Sequence, residues 1–465
     1  MPTKPLNLGV RSNPGRYPAA GACRLINAYA EDAGSEGVMQ WPIWCADGLE
    51  LFSNLLGSSG VRAMLELDGY LYVVAGRVIY RVDQTGAATI IGGMASDGHV
   101  GIARNRKATP QIGISCDGLT MIVENGTVTQ VTDADLLPAI DVCHIDGYFI
   151  YLAANGRLTS SNIDEGSAIE AADYAEAEGN PDGGSRVIAN GRDLLAFGPK
   201  SCEFWQNVGN AHFPFSRSAV IERGLLAPGG VTLAGDAVVF IDQDRIVRAL
   251  DGYTPRRIST HAMERIIADE PTQSGITATS WTREGHTFAC FSGSSFSICY
   301  DLTTGLWHER KSYGLDRWRV SCVTEFAGNL IAGDYNAPNI YTMSPDVHDE
   351  NGDELVWSIQ TPPVHAYPSR VRVNRLDVNM VPGVGINTTA EHNRDPQVML
   401  AWADDGTNFG NERMASAGVL GDSQATVEFR RLGTTQPHGR TYRLSMSADV
   451  VKGVMGASID YEPVR

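Results

Sequence analysis

The sequence predicts an all-β protein with a six- or seven-bladed β-propeller, a small C-terminal β-sandwich and an extended N-terminal arm. A tight glycine turn between two apolar runs recurs seven times, with successive glycines 49, 29, 44, 44, 50 and 43 residues apart. A four-stranded blade needs about 40–50 residues, and Gly, Asn and Asp best tolerate the positive φ of hairpin turns. The turns are Asp68-Gly69, Asp117-Gly118, Asp146-Gly147, Asn190-Gly191, Gly235-Asp236, Glu284-Gly285 and Gly328-Asn329. The interval of 29 residues is short for a blade, so six and seven blades both stay open.

Residues 1–50 are expected to form an extended arm. Five prolines interrupt any helix in this region, namely Pro2, Pro5, Pro14, Pro18 and Pro42. Two short apolar pieces, Cys23–Tyr29 and Val38–Trp44, are each suited to lie along another surface. One use of such an arm is to add a strand to the last blade, which closes the ring and removes exposed sheet edges.

Residues 51–350 contain the paired apolar runs of a propeller. In the second repeat, Met121–Val123 and Val128–Val131 flank Asn125-Gly126, which is the strongest short hairpin signal in the chain. The seventh repeat, from Val320 to Met343, is weaker because Gly, Asn and Pro interrupt its second half. This weakness is a second reason why the blade count stays open.

Two segments depart from the repeat and are expected to be insertions. The first, Asn162–Asp182, carries seven acidic residues and no Lys or Arg, and it lacks the oxygen spacing of a calcium loop. We therefore favour a solvated or partner-facing acidic loop. The second, Thr260–Glu270, places Met263, Ile266 and Ile267 at helical spacing, which predicts a short amphipathic helix on the rim of the ring.

Residues 351–465 are expected to form the sandwich, after a polar linker that begins near Asp346. Five segments alternate apolar and polar residues as half-buried strands do. They are Val371–Leu376, Gln397–Trp402, Ala425–Phe429, Tyr442–Met446 and Ala457–Tyr461. The turn from Trp402 to Phe409 resembles a degenerate Asp box, in which a carboxylate caps the turn N–H groups, and we interpret it as a folding element.

Composition restricts the classes of partner. The formal net charge is −17, which opposes binding to phosphate backbones, so no sequence-specific nucleic-acid site is predicted. The eight cysteines form no C-x-x-C pair, and several lie inside apolar strand segments, which indicates buried free thiols. Free thiols are typical of a protein that is made in a reducing cytosol. The N-terminus does not resemble a signal peptide, and no run of about 18 apolar residues predicts a membrane span.

The sequence predicts no catalytic, cofactor-binding or metal-binding residue. It contains no phosphate loop, dinucleotide motif, zinc-protease motif or nucleophile elbow, and its ten histidines are dispersed. A carbohydrate-active, sialidase-like propeller is the main alternative to a structural protein, and a generic protein-binding propeller is another. Such an enzyme needs paired carboxylates or an arginine cluster at the funnel. The candidates for this chemistry are Glu203, Glu222, Glu264, Arg217, Arg223 and Arg265.

Four stretches, in order along the chain, resemble the packaged-DNA stabilisation proteins, or tail hub proteins, of short-tailed bacteriophages. The arm piece Leu25-Ile-Asn27-Ala-Tyr29 is also similar to the start of that family. The stretches are Tyr174-Ala-Glu-Ala-Glu178-Gly-Asn-Pro-Asp182-Gly with Glu203-Phe-Trp205, Gly209-Asn-Ala-His-Phe-Pro-Phe215-Ser-Arg217, Ile258-Ser-Thr-His-Ala-Met-Glu264-Arg-Ile-Ile267, and Asp404-Asp-Gly406-Thr-Asn-Phe409-Gly-Asn-Glu-Arg-Met414. Residues 50–140 show no close match.

The resemblance implies a virion protein without catalytic activity, made in the host bacterial cytoplasm and located in the virion tail. It implies a hexameric hub below the portal-adaptor ring that carries the tailspikes, holds the tail needle and keeps packaged DNA from leaking. We expect the free chain to be a monomer or a small oligomer. Asn162–Asp182 and Thr260–Glu270 are the expected contact segments, since insertions in repeat folds cluster on binding faces.

Overall fold

The computed structural model describes residues 3–17, 20–35, 37, 39–57, 59–94, 96–177 and 182–464. It is 53% strand and 4% helix, so the all-β prediction is confirmed. Pro2, Pro18, Val38 and Glu178, on which parts of the sequence predictions rested, lie outside the described residues. No helix in the described ranges is long and apolar enough to cross a membrane.

The N-terminal arm supplies strands to two different parts of the molecule. Its strands are β1 (Lys4–Pro5), β2 (Arg24–Ile26), β3 (Ala28–Ala30), β4 (Ile43–Cys45) and β5 (Gly48–Asn54). The first four join the C-terminal sandwich, whereas β5 joins the propeller. The arm is therefore a structural part of both domains.

Seven antiparallel blades of four strands form the propeller; five are separate sheets, and blades 6 and 7 are parts of larger sheets. Blade 1 is β6 (Val61–Leu67), β7 (Tyr70–Ala75), β8 (Val78–Val82) and β9 (Ala88–Gly93); blade 2 is β10 (Gly101–Arg104), β11 (Gln111–Cys116), β12 (Leu119–Glu124) and β13 (Thr127–Gln130). Blade 3 is β14 (Ala139–Ile145), β15 (Tyr148–Ala153), β16 (Arg157–Asn162) and β17 (Glu165–Glu176); blade 4 is β18 (Arg186–Asn190), β19 (Asp193–Phe197), β20 (Cys202–Asn207) and β21 (Phe215–Ile221). Blade 5 is β22 (Val231–Ala234), β23 (Ala237–Ile241), β24 (Val247–Asp251) and β25 (Thr254–Arg257).

Helix α1 (His261–Ala268) and a 3-10 turn (Gln273–Gly275) follow blade 5. Blade 6 is β26 (Thr277–Arg283), β27 (His286–Ser292), β28 (Ser297–Asp301) and β29 (Leu306–Glu309). Blade 7 contains β30 (Val320–Phe326), β31 (Asn329–Asp334) and β32 (Asn339–Ser344), and β5 completes it by pairing with β32 from Gly48↔Ser344 to Asn54↔Asn339. The ring is thus closed by a strand from the arm, and it has seven blades.

The irregular turn spacing has a simple cause in blade 2. Six of the seven predicted turns join the first and second strands of their blades, but Asp117-Gly118 joins the second and third strands of blade 2. The loop between β10 and β11 lacks a tight glycine turn and was therefore not recognised. Positive φ at Asp68 (52°), Asp117 (45°), Asp146 (52°) and Glu284 (48°) agrees with the predicted turn chemistry.

The sandwich follows a short hairpin of β33 (Asp349–Glu350) and β34 (Asp353–Glu354), where the sequence predicted only a linker. Its remaining elements are β35 (Trp357–Gln360), β36 (Arg370–Met380), α2 (Glu391–Arg394), β37 (Gln397–Ala403), β38 (Arg413–Ser416), β39 (Val427–Thr434), β40 (Thr441–Met446) and β41 (Gly453–Val464). One sheet has the order β3-β4-β41-β36-β39, with β1 also on β41, and it faces the order β2-β35-β40-β37-β38. Trp357, Leu400, Tyr442 and Ile459 are buried in the core between them.

Strand β2 makes one continuous sheet of blade 6 and the sandwich. It pairs with β35 over three residues, and on its other side Ile26 is in parallel register with Glu309 of β29. Arg24 forms an ion pair with Glu309, and the Asn27 side chain donates to the Lys311 and Val356 carbonyls at 2.7 and 2.9 Å. The propeller and the sandwich are therefore joined by strand pairing as well as by the chain between them.

Candidate functional site

A channel of about 990 Å³ runs through the centre of the propeller. The inner strand of each of the seven blades contributes to its wall, as expected from the ring architecture. Its charged lining residues are of both signs: Arg62, Asp97, Arg104, Asp117, Arg186 and Arg317. The sequence did not predict that these residues lie together. The channel is therefore the first candidate for a catalytic or binding site.

A buried carboxylate organises one side of the channel. Asp141 of β14 is fully buried and accepts a hydrogen bond from the Val187 N–H at 2.8 Å. Arg186 Nε lies 3.4 Å from its Oδ2, and His99 Nε2 lies 3.8 Å from its Oδ1. Burial raises the pKa of Asp141, whereas burial and then the charges of Arg186 and Arg62 lower the pKa of His99. The cluster ties blades 3 and 4 to the loop that precedes blade 2.

Two other channel arginines, Arg62 and Arg317, donate to backbone carbonyls, whereas Arg104 pairs with Glu66 at 3.4 Å. Arg62 donates to the carbonyl oxygens of Gly98 and Ser96. Arg317 donates to the carbonyl oxygen of Trp318 at 2.9 Å, and its guanidinium lies 4.1 Å from the centre of the Tyr335 ring. These guanidinium groups satisfy loop carbonyls inside the ring, so their arrangement supports blade packing rather than presenting donors to a substrate.

The six residues proposed for a glycosidase do not converge on the channel. Glu203 of β20 is buried and pairs with Arg217 of the outer strand at 3.2 Å. Glu264 of the rim helix accepts two hydrogen bonds of 2.8 Å from Arg257. Arg223 lies 3.9 Å from Asp242. None of these residues, nor Glu222 or Arg265, is among those lining the channel, so the six residues named from the sequence do not form paired carboxylates or an arginine cluster there.

The acidic segment was predicted to be a loop, and that prediction is wrong. Residues Glu165–Glu176 form β17, the outer strand of blade 3, which pairs with β16 through two register shifts. Its Ala, Glu and Asp content has low strand propensity, and the pairing with β16 overrides that preference. Glu170 and Glu176 are exposed, while Glu165 is bound by Lys107 at 3.2 Å.

Helix α1 lies where the sequence predicted an amphipathic helix. Thr260 caps it by accepting a hydrogen bond from the Met263 N–H at 3.4 Å. Met263 and Ile267 are fully buried beside blades 5 and 6, and Ile266 packs against the same cluster. At its C-terminal end, Glu270 receives hydrogen bonds from Ser294 and Ser295. The helix is firmly packed, and its exposed face is small and polar.

A buried ionic cluster fixes the hairpin between the two domains. Glu350 is fully buried and accepts a hydrogen bond from Trp318 Nε1 at 3.0 Å. Arg310 and Arg319 lie 3.8 and 3.5 Å from its carboxylate oxygens, and Arg319 also reaches Asp353 at 2.5 Å. Burial raises the pKa of Glu350. This cluster was not predictable from the sequence, because Glu350 lies 31 residues or more beyond Arg310, Trp318 and Arg319 along the chain.

Two smaller predictions concern the Asp box and the cysteines. Asp405 accepts hydrogen bonds from the N–H groups of Thr407 and Asn408 at 2.9 and 2.8 Å, and these bonds lower its pKa to about 2. The box is therefore a turn cap.

All eight cysteines are free thiols, with six buried and two partly buried. The described residues contain no group of three or more His, Cys, Asp or Glu side chains that could hold a metal ion.

Two family models match this chain in succession. Residues 24–348 match "Bacteriophage P22 Gp10, beta-propeller", and residues 356–462 match "Bacteriophage P22 Gp10, beta-sandwich". The chain belongs to this family. Its members are structural, DNA-stabilising tail proteins of short-tailed phages, so the predicted resemblance is confirmed, as are the propeller and the sandwich. No curated protein matches the chain at a significant level.

Several solved structures are similar to the chain at low sequence identity. The WD40 propeller domain of Doa1 has a TM-score of 0.45 and 12% identity, covering 64% of this chain and 97% of that one. The computationally designed Ika8 protein has a TM-score of 0.39 and 12% identity, with coverages of 63% and 99%. The Cps50 (Swd1) propeller domain of Myceliophteria thermophila has a TM-score of 0.44 and 11% identity, with coverages of 64% and 99%.

Proposed function

We propose that this chain is the tail hub of a short-tailed phage, which joins the portal-adaptor ring to the tailspikes and the tail needle and retains packaged DNA. The observation that carries this proposal is the match of both Gp10 models, in order, over 24–348 and 356–462. In the assembled tail the hub is a hexamer of this chain. It is made in the host cytoplasm and enters the virion tail late in assembly.

Two properties of the molecule support a structural role of this kind. The sheet that runs from blade 6 through β2 into the sandwich joins the two domains by backbone pairing, which suits a connector that must withstand internal DNA pressure. The formal net charge of −17 repels the duplex. Retention of DNA then results from blocking the channel through which DNA leaves the particle, and not from Lys or Arg contacts with the DNA phosphates.

The test uses phage particles assembled without this protein. Adding the purified chain, followed by spikes and needle, is expected to convert particles that release nuclease-sensitive DNA into particles that retain it. Retention of DNA without the chain would contradict the proposal. The glycosidase alternative makes the opposite prediction, namely turnover of a bacterial surface polysaccharide that is lost in the channel variant Asp117→Asn. Such turnover would overturn the structural role.

A further inference from the structure

Two of the eight cysteines lie opposite each other in blade 6. Cys290 of β27 is in direct register with Cys299 of β28, and the two residues are 1% and 0% exposed. In the other described strand pairings that contain a cysteine, the residue opposite it is of another type. Among the described strands, this pairing alone brings two thiols face to face.

The backbone hydrogen bonds of the hairpin show how closely the two cysteines approach. In an antiparallel ladder, hydrogen-bonded pairs alternate with non-hydrogen-bonded pairs, whose Cα atoms are about 4.5 Å apart and whose side chains are closer. The Gly293 N–H donates to the Phe296 carbonyl at 3.0 Å, and the Leu302 N–H donates to the Thr287 carbonyl at 2.8 Å. Counted three positions along the ladder from either bond, the cysteine pair falls in the closer, non-hydrogen-bonded class.

The next non-hydrogen-bonded pair on the same face confirms this geometry. Ser292 and Ser297 lie two positions closer to the turn, and their hydroxyl oxygens are 2.6 Å apart. A disulfide requires Cα atoms about 4.4–6.8 Å apart and Cβ atoms that face each other. The separation typical of this class of pair, about 4.5 Å, lies within that range. The strands therefore permit a bond between Cys290 and Cys299 without a change in their register.

The cysteine pair is buried, but it lies close to the central channel. Cys290 is in register with Thr279 of the inner strand β26, and Thr279 is on the channel wall. Burial raises the pKa of the Cys299 thiol, the hydrogen bond with Cys290 raises it further, and the charge of Arg310 opposes both. The reactive thiolate is therefore scarce at neutral pH, and a reagent little larger than water has one strand to pass.

We propose that Cys290 and Cys299 are a redox-active pair that closes to a cross-strand disulfide when the chain meets hydrogen peroxide. The thiolate sulfur of one cysteine attacks a peroxide oxygen, the O–O bond breaks and hydroxide leaves, which gives a sulfenic acid. The sulfur of the second thiol then displaces the sulfenic hydroxyl, which leaves as water with the thiol proton. The hydroxide takes up the first thiol proton. In sum, two thiols lose two electrons to one peroxide, and two waters form.

Closure of this pair would crosslink the hairpin from which the sheet continues into the sandwich. Strand β29 follows β28 in blade 6, and its Glu309 is in register with Ile26 of β2. Disulfides persist in oxidising surroundings and are rare in the cytosol. A virion protein passes from the second environment to the first. That setting rests on the proposed function, whereas the chemistry of the pair does not.

The test treats the purified, reduced full chain with hydrogen peroxide, denatures it, labels the remaining thiols with a maleimide and counts the labels by mass spectrometry. Eight thiols are labelled before treatment, and two fewer are expected afterwards, with a reducible link between the Cys290 and Cys299 peptides. Closure should accelerate about tenfold per pH unit above pH 7, because the thiolate fraction rises by that factor below the pKa.

Two variants separate this pair from the other buried cysteines. Cys290→Ser leaves Cys299 without a partner and should form no disulfide. Cys202→Ser is the matched control, because Cys202 is also buried and lies opposite Phe197 and Ile221 rather than a cysteine. This variant should close its Cys290–Cys299 bond at the wild-type rate.

Three results would contradict the proposal. The first is a wild-type chain that keeps all eight thiols under conditions that oxidise the exposed Met414 to its sulfoxide. The second is sulfinic acid on either cysteine in place of a disulfide. The third is disulfides that join other cysteines as well, since the reaction would then proceed through the unfolded chain. DNA retention is measured separately, so the hub function can fail while the pair closes, and the reverse.

Discussion

Removing the Glu350 carboxylate is expected to destabilise the junction between propeller and sandwich. In Glu350→Ala, Arg310 and Arg319 lose the carboxylate that faces both of them, and the Trp318 N–H loses its acceptor. Arg310 is only 2% exposed, so water cannot replace the lost carboxylate. Breaking a buried pair by removing one partner costs about 3–5 kcal/mol. We therefore expect the free energy of unfolding to fall by about 3–5 kcal/mol.

Denaturant titration followed by tryptophan fluorescence measures this loss, since Trp318 lies in the cluster. Glu350→Gln is the matched variant, because it keeps an acceptor for Trp318 and removes only the charge; a smaller loss is expected. Asp353→Ala removes the second carboxylate that pairs with Arg319. The Asp353 side chain is 51% exposed, and exposed ion pairs contribute about 0–1 kcal/mol, so the free energy of unfolding should fall by no more than that in this variant. A loss below about 1 kcal/mol in Glu350→Ala would refute the conclusion that this cluster fixes the hairpin.

Two further predictions concern the propeller. Glu270→Ala removes the carboxylate that accepts hydrogen bonds from Ser294 and Ser295. A hydrogen bond to a charged group contributes about 1.5–3 kcal/mol, so we expect denaturant titration to show a fall of about 3 kcal/mol in the free energy of unfolding. The control Glu264→Ala removes a more exposed ion pair and should lower the free energy of unfolding by less. Burial, together with the charges of Arg310 and His286, lowers the pKa of the His308 imidazole to about 3. Between about pH 6.5 and pH 3 this imidazole is therefore protonated in the unfolded chain but not in the folded chain. Stability should therefore fall as pH drops through this window, and His308→Phe should flatten that dependence; an unchanged slope would contradict the assignment.

The sequence predicted most of the fold because propeller turns are local. The hairpin at Asn125-Gly126 and the positive φ of Asp68 and Asp146 need only two or three adjacent residues, and all are present in the structure. Four of the five predicted sandwich strands lie within observed strands, and the fifth, Ala425–Phe429, overlaps β39, because alternation is visible in a single segment. The errors arose where a partner strand decides the conformation, as in β17, whose composition alone favours a loop.

The buried ionic clusters were not predictable in the same way. Glu350 meets Arg310 and Trp318 only after the ring closes, and no spacing rule joins residues so far apart. Asp141 did leave a trace, since it is a single carboxylate inside the apolar strand Ala139–Ile145. A lone charge in a buried strand needs a partner, and that rule alone would have predicted an arginine nearby. It would not have identified Arg186.

The arm explains why folding of this chain depends on its two ends together. Strand β5 closes blade 7 against β32, while β1 and β4 pair with β41, so that Lys4 lies opposite Ile459. These contacts join residues hundreds of positions apart, and such contacts form slowly because loop closure precedes their gain. Neither domain completes its sheets without the arm. The propeller and the sandwich therefore share the arm, and we expect the sheet that holds β1 and β4 to be complete only after β41, the last strand of the sandwich, has been made.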